Sequence, residues 1–266
     1  MIEINRAVKN IRRNIIRVAE NCSGKVHWGS SLSCVEILYT IYGITSNIAQ
    51  KNVDENDEDV IIISKGQAAL AMYATMYEVG LIDDSFITQF QKNGGDYPEE
   101  ITENRNMKIP CSTGSLGVGL PYAVGVALKK KMKKYGGDVY VLVGDGECDE
   151  GSIWEAVMLA AHYKLNNIVL IVDCNGLQAD GETRDILNLD KLPEKFQSFG
   201  WDTIEVDGHS CIEIKDAYCK KADKPFVIIA HTVKGKGISF MENDFTWHDK
   251  ILNKELLIQA KREVET

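Results

Sequence analysis

The sequence lacks the features that mark secreted, membrane and disulfide-stabilised proteins. Its seven cysteines are odd in number and include no CxxC pair, which indicates reduced thiols and predicts a cytoplasmic protein. No apolar stretch is long enough to span a bilayer, and the N-terminal residues 1–16 contain no apolar signal-peptide core. We therefore expect a chain that neither crosses a membrane nor associates with one.

An excess of positive charge is also missing. Lysine and arginine together number 30 against 39 aspartates and glutamates, which gives a formal net charge of −9. The basic run at residues 129–134 is typical of a solvated helix end. Both observations argue against a nucleic-acid partner.

What the sequence does contain is a regular alternation of strand and helix patterns. Two short apolar runs, residues 139–143 and 168–172, are rich in Val and Ile and end at turn residues, so they are predicted as buried strands. Residues 151–164 between them show apolar side chains at helical spacing. The same alternation recurs along the chain. It predicts an α/β fold in which a doubly wound, mostly parallel sheet carries helices on both faces, as a single domain over residues 1–266.

Capping patterns predict where two further helices begin. Ser33 with Glu36, and Ser210 with Glu213, each match the capping-box spacing. Residues 21–31 and 176–190 carry turn residues without periodicity and are expected to be loops.

Polar residues follow the two central strands. Asp145 lies between two glycines after the first strand, and Asn175 follows the second. Because the carboxyl ends of parallel strands meet at one edge of a sheet, these side chains are expected to lie close together. Two side-chain oxygens and the carbonyl of Leu177 suit Mg²⁺ or Ca²⁺ if a ligand's phosphates complete the shell. The absence of His and Cys at these positions argues against zinc.

These residues resemble the metal motif of thiamine-diphosphate enzymes. A glycine-flanked aspartate alone is usually an ordinary turn, but the strand–helix–strand context and the Asn-Gly-Leu thirty positions later favour the motif. Further segments are similar to successive blocks of transketolases, and they extend over almost the whole chain: SGKVHWGSS, SKGQAALAMYA, STGSLGVGL, GDGECDEG and HTVKGKGISFMENDFTWHDK. The sequence resembles the N-terminal subunit of a split transketolase.

This resemblance implies an activity, partners and a role for each matched residue. The activity is transfer of a two-carbon ketol unit from a ketose, such as a sugar phosphate, to an aldehyde. The partners are a C-terminal subunit with a pyrimidine-binding domain and a second copy of this chain, in a heterotetramer. The metal, Mg²⁺ or Ca²⁺, would bind Asp145, Asn175 and Leu177. Thiamine diphosphate would contact Ser30, Gln67, Gly114, Ser115, Leu116, Gly144, Asp145, Gly146, Asn175, Leu177, Lys234 and His248. The implied catalytic residues are His27, His248, Gln67 and Glu150, of which Glu150 communicates between the cofactor sites of a dimer.

Two departures from the family pattern affect substrate choice. Gln67 and Tyr97 stand where transketolases have histidines facing the substrate. A glutamine can donate and accept hydrogen bonds, but it cannot become cationic or relay a proton near neutral pH. A specialised sugar donor therefore fits the pattern as well as a pentose phosphate.

Three alternatives share part of this pattern. A thiamine-dependent 2-oxo-acid dehydrogenase subunit has the same metal motif but lacks the other blocks. A non-catalytic cofactor-docking partner would account for the replaced histidines. A Rossmann dinucleotide-binding protein is disfavoured, because no GxGxxG follows the first strand.

Overall fold

A parallel β-sheet forms the centre of the computed structural model, which describes residues 2–265. Its five strands follow the order β1-β2-β3-β5-β4, and every neighbouring pair is parallel. The strands are β1 (Val60–Ile63), β2 (Val139–Gly144), β3 (Ile168–Cys174), β4 (Asp202–Asp207) and β5 (Phe226–His231). The predicted α/β fold class and the predicted pairing of the two central strands are confirmed.

Helices connect the strands and cover both faces of the sheet. They are α1 (Ile2–Val18), α2 (Trp28–Ser33), α3 (Val35–Thr40), α4 (Ala69–Glu78), α5 (Phe86–Gln89), α6 (Gly119–Lys133), α7 (Gly151–His162), α8 (Thr183–Ile186), α9 (Leu192–Ser198), α10 (Cys211–Tyr218) and α11 (Lys254–Glu263). Within the described residues, none of these helices has the length and apolar character that a membrane crossing requires.

Side chains of β1, β2, β3 and β5 alternate between two hydrophobic cores. Ile61 and Ile63 of β1 pack in the core that also contains residues of α1, α3, α4 and α10. Ile62 between them joins the opposite core, with residues of α6, α7 and α9. Both faces are buried, which explains why the strands appear in the sequence as continuous apolar runs rather than alternating ones.

The register of the sheet brings the strand ends together. Gly144 pairs with Asp173, and Cys174 pairs with His231. The residues that follow β2, β3 and β5 therefore leave the sheet side by side at its carboxyl edge. This edge is where open α/β sheets bind ligands.

Two local predictions for residues 21–36 are wrong. Trp28 begins α2 within the segment expected to be a loop, and Ser33 lies in that helix instead of capping α3. The Ser33 hydroxyl donates a charge-assisted hydrogen bond to Asp173 at 2.6 Å. As a cap of α3 it would instead accept a weaker, neutral hydrogen bond from a backbone amide. A helical turn, α8, also interrupts the predicted loop at residues 176–190.

The second capping prediction holds in part. Ser210 precedes α10, and its hydroxyl accepts a hydrogen bond from the Glu213 amide at 3.2 Å. The Glu213 carboxylate accepts from the amide of Asp207 at 3.0 Å and not from that of Ser210. The helix start is confirmed, whereas the reciprocal bond of the motif is replaced.

Candidate active site

A cavity of about 270 Å³ lies at the carboxyl edge of the sheet, among the loops that follow β1, β2, β3 and β5. Most of the predicted cofactor-binding residues line this one cavity: Ser30, Gln67, Leu116, Gly144, Asp145, Gly146, Asn175, Leu177, Lys234 and His248. The topology thus gathers residues that are spread over more than two hundred positions of sequence.

Asp145 is held by backbone amides. One oxygen accepts from Gly146 at 2.9 Å and the other from Gly176 at 2.6 Å. Burial, followed by the charge of the nearby Asp173, raises the pKa of Asp145 to about 6. A buried carboxylate in this position is stabilised in its ionised form by a bound cation.

Asn175 and Leu177 supply further oxygens in the same cavity. The Asn175 side-chain oxygen accepts from the Leu177 amide at 3.1 Å. The Leu177 carbonyl accepts from the Lys234 ammonium at 2.9 Å, so positive charge already lies against a predicted metal ligand. A carbonyl has two lone pairs and can accept from the lysine and bind a metal. Together with Asp145, these hard oxygens fit Mg²⁺ or Ca²⁺.

Lys234 is an almost fully buried cation beside this oxygen set. Its ammonium lies 3.2 Å from the Gln178 carbonyl and 3.2 Å from Nδ1 of His248. Burial, together with the charge of Lys65, lowers the pKa of Lys234 to about 8. The lysine therefore remains mostly charged at neutral pH and is suited to contact an anionic phosphate.

His248 is neutral at physiological pH. Burial and the adjacent Lys234 charge lower the pKa of His248 to about 3. Because Lys234 donates to Nδ1, the proton of the neutral ring is on Nε2. His27 meets this ring edge to face, with 5.3 Å between the ring centroids, but it lies beside the cavity and does not line it.

A buried network beneath the cavity was missed by the sequence analysis. Asp173, at the end of β3, forms an ion pair with Lys65 and accepts from Ser33 and Thr232. Burial alone would raise the pKa of Asp173, but the Lys65 charge and these hydrogen bonds hold it below its usual value. The signal in the sequence was the placement of Lys65 and Asp173 directly at the carboxyl ends of predicted strands.

Glu147 is a second residue that the sequence analysis missed. Its carboxylate accepts from the Ser64 hydroxyl at 2.5 Å and from the amides of Gly117 at 2.8 Å and Gly144 at 3.3 Å. Burial raises the pKa of Glu147. The residue fastens the loop before α6 to the ends of β1 and β2. Nothing in the acidic segment 147–150 shows which of its acids points inward.

Besides His27, three of the predicted residues lie outside the lining of the cavity. Gly114 is buried behind Gln67, whose side-chain nitrogen donates to the Gly114 carbonyl at 3.0 Å. A Cβ at Gly66 would collide with the Gly114 backbone, so this close approach requires glycine at position 66. Ser115 is exposed, and Glu150 is an exposed residue at the start of α7.

The structure contradicts the expectation that Tyr97 faces the substrate. Its side chain is buried in the hydrophobic core, and its ring meets Tyr73 edge to face at 5.2 Å. The hydroxyl lies 2.9 Å from that of Ser85. The same loop instead brings the Glu99 carboxylate to 3.0 Å from Nδ1 of His27.

A larger cavity of about 540 Å³ shares Asp145 with the first. It opens between the segment 183–197 and the ends of β4 and β5. Its lining contains neither Asn175 nor Lys234, and it does not include His248. The smaller cavity is therefore the candidate site, because it alone of the two gathers the oxygen ligands and the buried cation.

Comparison with known proteins identifies the family. The model of the transketolase thiamine diphosphate binding domain matches residues 4–265. An apulose-4-phosphate transketolase subunit of Actinobacillus succinogenes is 38% identical over 251 residues, which are 94% of this chain and 91% of that relative. The 6-deoxy-6-sulfo-D-fructose transketolase subunit SqwG of a Clostridium species is 36% identical over 245 residues, which are 91% of this chain and 89% of that relative.

Solved structures agree in fold. Transketolase from Campylobacter jejuni superposes with a TM-score of 0.88 at 26% identity, over 100% of this chain and 43% of its own. Transketolase from Leishmania mexicana gives a TM-score of 0.85 at 23% identity, over 98% of this chain and 41% of its own. The chain thus spans less than half the length of these transketolases but most of the length of the subunit relatives.

The predicted N-terminal subunit of a split transketolase-type transferase is confirmed. Because the family model covers nearly the whole sequence, the chain belongs to the transketolase family, as its thiamine-diphosphate-binding domain.

Proposed function

We propose that this chain supplies the diphosphate-and-metal half of a thiamine-diphosphate site. The complete enzyme transfers a two-carbon ketol unit from a ketose donor to an aldehyde acceptor. The observation that carries the proposal is a single cavity in which Asp145, Asn175 and Leu177 meet Lys234 and His248. These residues follow three different strands, β2, β3 and β5, and their polar groups meet in one cavity.

The oxygens of Asp145, Asn175 and Leu177 would hold Mg²⁺ or Ca²⁺, and the metal would in turn bind the diphosphate. Ser30, with the backbone at Gly144 and Gly146, would surround the phosphates, where glycine permits close approach. When bound, the cofactor supplies the electron sink for carbon–carbon bond cleavage. Lys234 would offset the remaining negative charge of the diphosphate.

The histidines would manage protons on the substrate. His248 is neutral and carries its proton on Nε2, so it can donate a hydrogen bond to a substrate hydroxyl. His27 lies next to it and would accept or return protons as donor and acceptor exchange. Gln67 lines the cavity and would form neutral hydrogen bonds in place of a titrating imidazole.

An exposed apolar face supports association with a partner polypeptide and with a second copy of the chain. Helices α6 and α7 pack together, and this region exposes large apolar side chains, each more than two-fifths accessible: Leu116, Val118, Tyr122, Met158 and Leu159. Such a patch marks a protein interface. The relatives named as subunits favour a second polypeptide that carries the pyrimidine half of the site. Two copies of each would close by two-fold symmetry into a heterotetramer, with Glu150 near the interface.

The single sheet with helices on both faces supports a single domain over residues 1–266. The seven cysteines are free thiols, and they support the proposed cytoplasmic location.

Asp145→Ala tests the metal and cofactor assignment. The affinity for thiamine diphosphate and Mg²⁺ is measured by calorimetry on the chain assembled with its pyrimidine-domain partner. It should weaken by more than about 100-fold, which exceeds the usual effect of removing a residue that only supports a metal ligand. Asp185→Ala removes an exposed carboxylate from the short helix α8 and should leave affinity unchanged. Equal affinities for the native chain and Asp145→Ala would refute the assignment.

A further inference from the structure

Three side chains that can bind a metal converge next to the cofactor cavity but outside its lining. They are His27, Glu99 and Asp249, and their ligand atoms all lie within 4.8 Å of one another. His27 precedes α2, Glu99 belongs to the loop between α5 and α6, and Asp249 directly follows His248. We refer to these three residues as the histidine–carboxylate cluster.

Backbone contacts hold the cluster in place. Val26 and Lys250 form an antiparallel bridge through hydrogen bonds of 3.1 and 3.3 Å, which sets His27 beside Asp249. The Trp28 indole also donates to the Lys250 carbonyl, at 2.8 Å. Two residues beyond Glu99, the buried Ile101 accepts at its carbonyl from Thr113 at 2.9 Å. The cluster is therefore assembled by the fold and not by flexible side chains meeting at the surface.

The atoms that face one another in this cluster lack hydrogen-bond partners. Nδ1 of His27, one carboxylate oxygen of Glu99 and one of Asp249 are each shielded from solvent, and none has a hydrogen-bond partner among residues 2–265. Lys25 contacts the other oxygen of Asp249, at 3.3 Å. Burying polar atoms without partners costs free energy, so the arrangement is favourable when something binds between them.

The geometry favours a shared ion over a direct hydrogen bond. Nδ1 of His27 lies 3.0 Å from the Glu99 oxygen, yet the two atoms do not form a directional hydrogen bond. Two ligands of a zinc-sized ion, each at its usual bond length, lie about 3–4 Å apart. Close approach without mutual hydrogen bonding is the pattern of ligands that share a cation.

We propose that the histidine–carboxylate cluster binds a divalent transition-metal ion, of which Zn²⁺ is the representative, at a second site separate from the Mg²⁺ or Ca²⁺ of the cofactor. A nitrogen with two carboxylates suits zinc, whereas calcium and magnesium favour all-oxygen sets. Three protein ligands leave a fourth position open to water or substrate. The two carboxylates balance the charge of the ion.

Metal at this site would change what His27 can do. With Nδ1 bound to the ion, the neutral ring carries its proton on Nε2 and can donate a hydrogen bond, but it cannot accept a further proton. If His27 exchanges protons with the substrate, which rests on the function proposed above, an occupied site restricts that exchange. The second ion would thereby regulate turnover without displacing the cofactor.

The test is Zn²⁺ binding to the full chain in excess Mg²⁺, which fills the oxygen site and competes poorly for imidazole. Calorimetry should show a site whose affinity falls by more than about tenfold in Glu99→Gln and in Asp249→Asn. Glu100→Gln, which changes the adjacent carboxylate, and Asp145→Asn, which changes the cofactor site, should leave the affinity unchanged. Zn²⁺ should also raise the melting temperature of the native chain but not that of the two cluster variants.

Imidazole resonances provide a readout that does not depend on the variants. Zn²⁺ should shift the ring nitrogen signals of His27, while Mg²⁺ alone should not. Unshifted His27 signals, or equal Zn²⁺ affinity in the native chain and both cluster variants, would overturn the proposal. A proton or a water molecule shared by the three side chains would then explain their close approach. No substrate is present in these measurements, so they stand apart from any outcome of the transferase assay.

Discussion

Gln67 is the residue through which this cavity differs most clearly from the family pattern. Its side-chain nitrogen donates to the Gly114 carbonyl at 3.0 Å, and it lies 3.5 Å from a Glu100 oxygen. It lines the cofactor cavity, whereas Tyr97, the other replaced histidine, is buried in the core. The two departures therefore have different physical consequences, one for substrate choice and one for stability.

Restoring histidine at each position separates these consequences. Gln67→His should change the relative kcat/KM among ketose donors while cofactor affinity stays similar, because the Gln67 side chain bonds Gly114 and none of the proposed metal ligands. Tyr97→His should leave donor preference unchanged and destabilise the fold by about 1–3 kcal/mol, through lost aromatic packing and the lost Ser85 contact. Steady-state kinetics and urea denaturation measure the two effects. A change of donor preference in Tyr97→His would contradict the assignment.

The raised pKa of Asp145 predicts a pH-dependent stability for the cation-free chain. Burial raises this pKa to about 6, so ionisation is less favourable in the folded than in the unfolded chain. The contribution of Asp145 to stability is therefore present below its ordinary pKa and is lost as pH rises through about 6. Relative to Asp145→Asn, the native chain should lose about 2 kcal/mol between pH 4 and pH 7.

Urea denaturation of both chains in a chelating buffer at several pH values measures this difference. Added Mg²⁺ with thiamine diphosphate should restore stability to the native chain and not to the variant, because the carboxylate is then neutralised by the metal. A stability difference that stays constant from pH 4 to pH 7 would contradict the burial of an ionisable group at this position.

Residues on a recognisable motif could be predicted from the sequence, and residues defined by long-range contacts could not. Asp145 and Asn175 follow predicted strands, so parallel topology alone places them at one edge of the sheet. Glu147 acquires its role from Ser64 and Gly117, which are far away in the sequence, and neither spacing nor composition identifies it. Lys65 follows a predicted strand, but its partner Asp173 is 108 positions away and is not indicated by a motif. Tyr97 shows the opposite error. It occupies a motif position that predicts contact with the substrate, but its side chain is buried in the hydrophobic core.

At the scale of elements, a buried polar network joins α1, α3 and the loop before α10. Arg12 forms an ion pair with Glu36 at 2.7 Å and donates to the Lys236 carbonyl at 3.1 Å. His209 lies 3.1 Å from the Glu36 carboxylate and accepts from the Val233 amide at 2.9 Å. Because the ring accepts at Nε2, its proton is on Nδ1 and is donated to Glu36. This network anchors the loop that carries Lys234.

Adjacent arginines of α1 allow a matched test of this network. Arg12→Met leaves a buried carboxylate without its ion-pair partner and should destabilise the fold by about 3–5 kcal/mol. Arg13→Met removes a pair with Glu265 on the protein surface, where solvent screens the charges, and should have a much smaller effect. Chemical denaturation measures both free energies of unfolding. Similar losses in the two variants would show that the Arg12 network does not anchor this region.

The elements themselves were largely predictable, because apolar periodicity and strand–helix alternation are local. Strands β2 and β3 and helix α7 lie close to their predicted positions for this reason. Ser33 does not cap α3 as predicted, since its hydroxyl bonds Asp173, a residue 140 positions away. Capping patterns predict helix starts only where no buried charge competes for the same hydroxyl.

At the scale of the whole molecule, the chain corresponds to one part of a larger assembly. It covers 91% of the Actinobacillus succinogenes relative and 43% of the solved Campylobacter jejuni transketolase. Its candidate cavity gathers oxygens and a buried cation that suit a metal and a diphosphate, and apolar side chains just before α6, on α6 and on α7 are exposed. We therefore expect the remainder of the cofactor to be shielded from water by a second polypeptide, without which turnover fails.

Reconstitution tests the proposed half-site most directly. The rate of donor cleavage is measured with purified chain, thiamine diphosphate, Mg²⁺ and a panel of ketose phosphates, and a polypeptide that carries the pyrimidine-binding domain is then titrated in. We predict no turnover by the chain alone and activity that saturates when the two polypeptides are equimolar. Full turnover by this chain alone, at a mass that excludes any partner, would contradict the proposal that it holds half of a shared site.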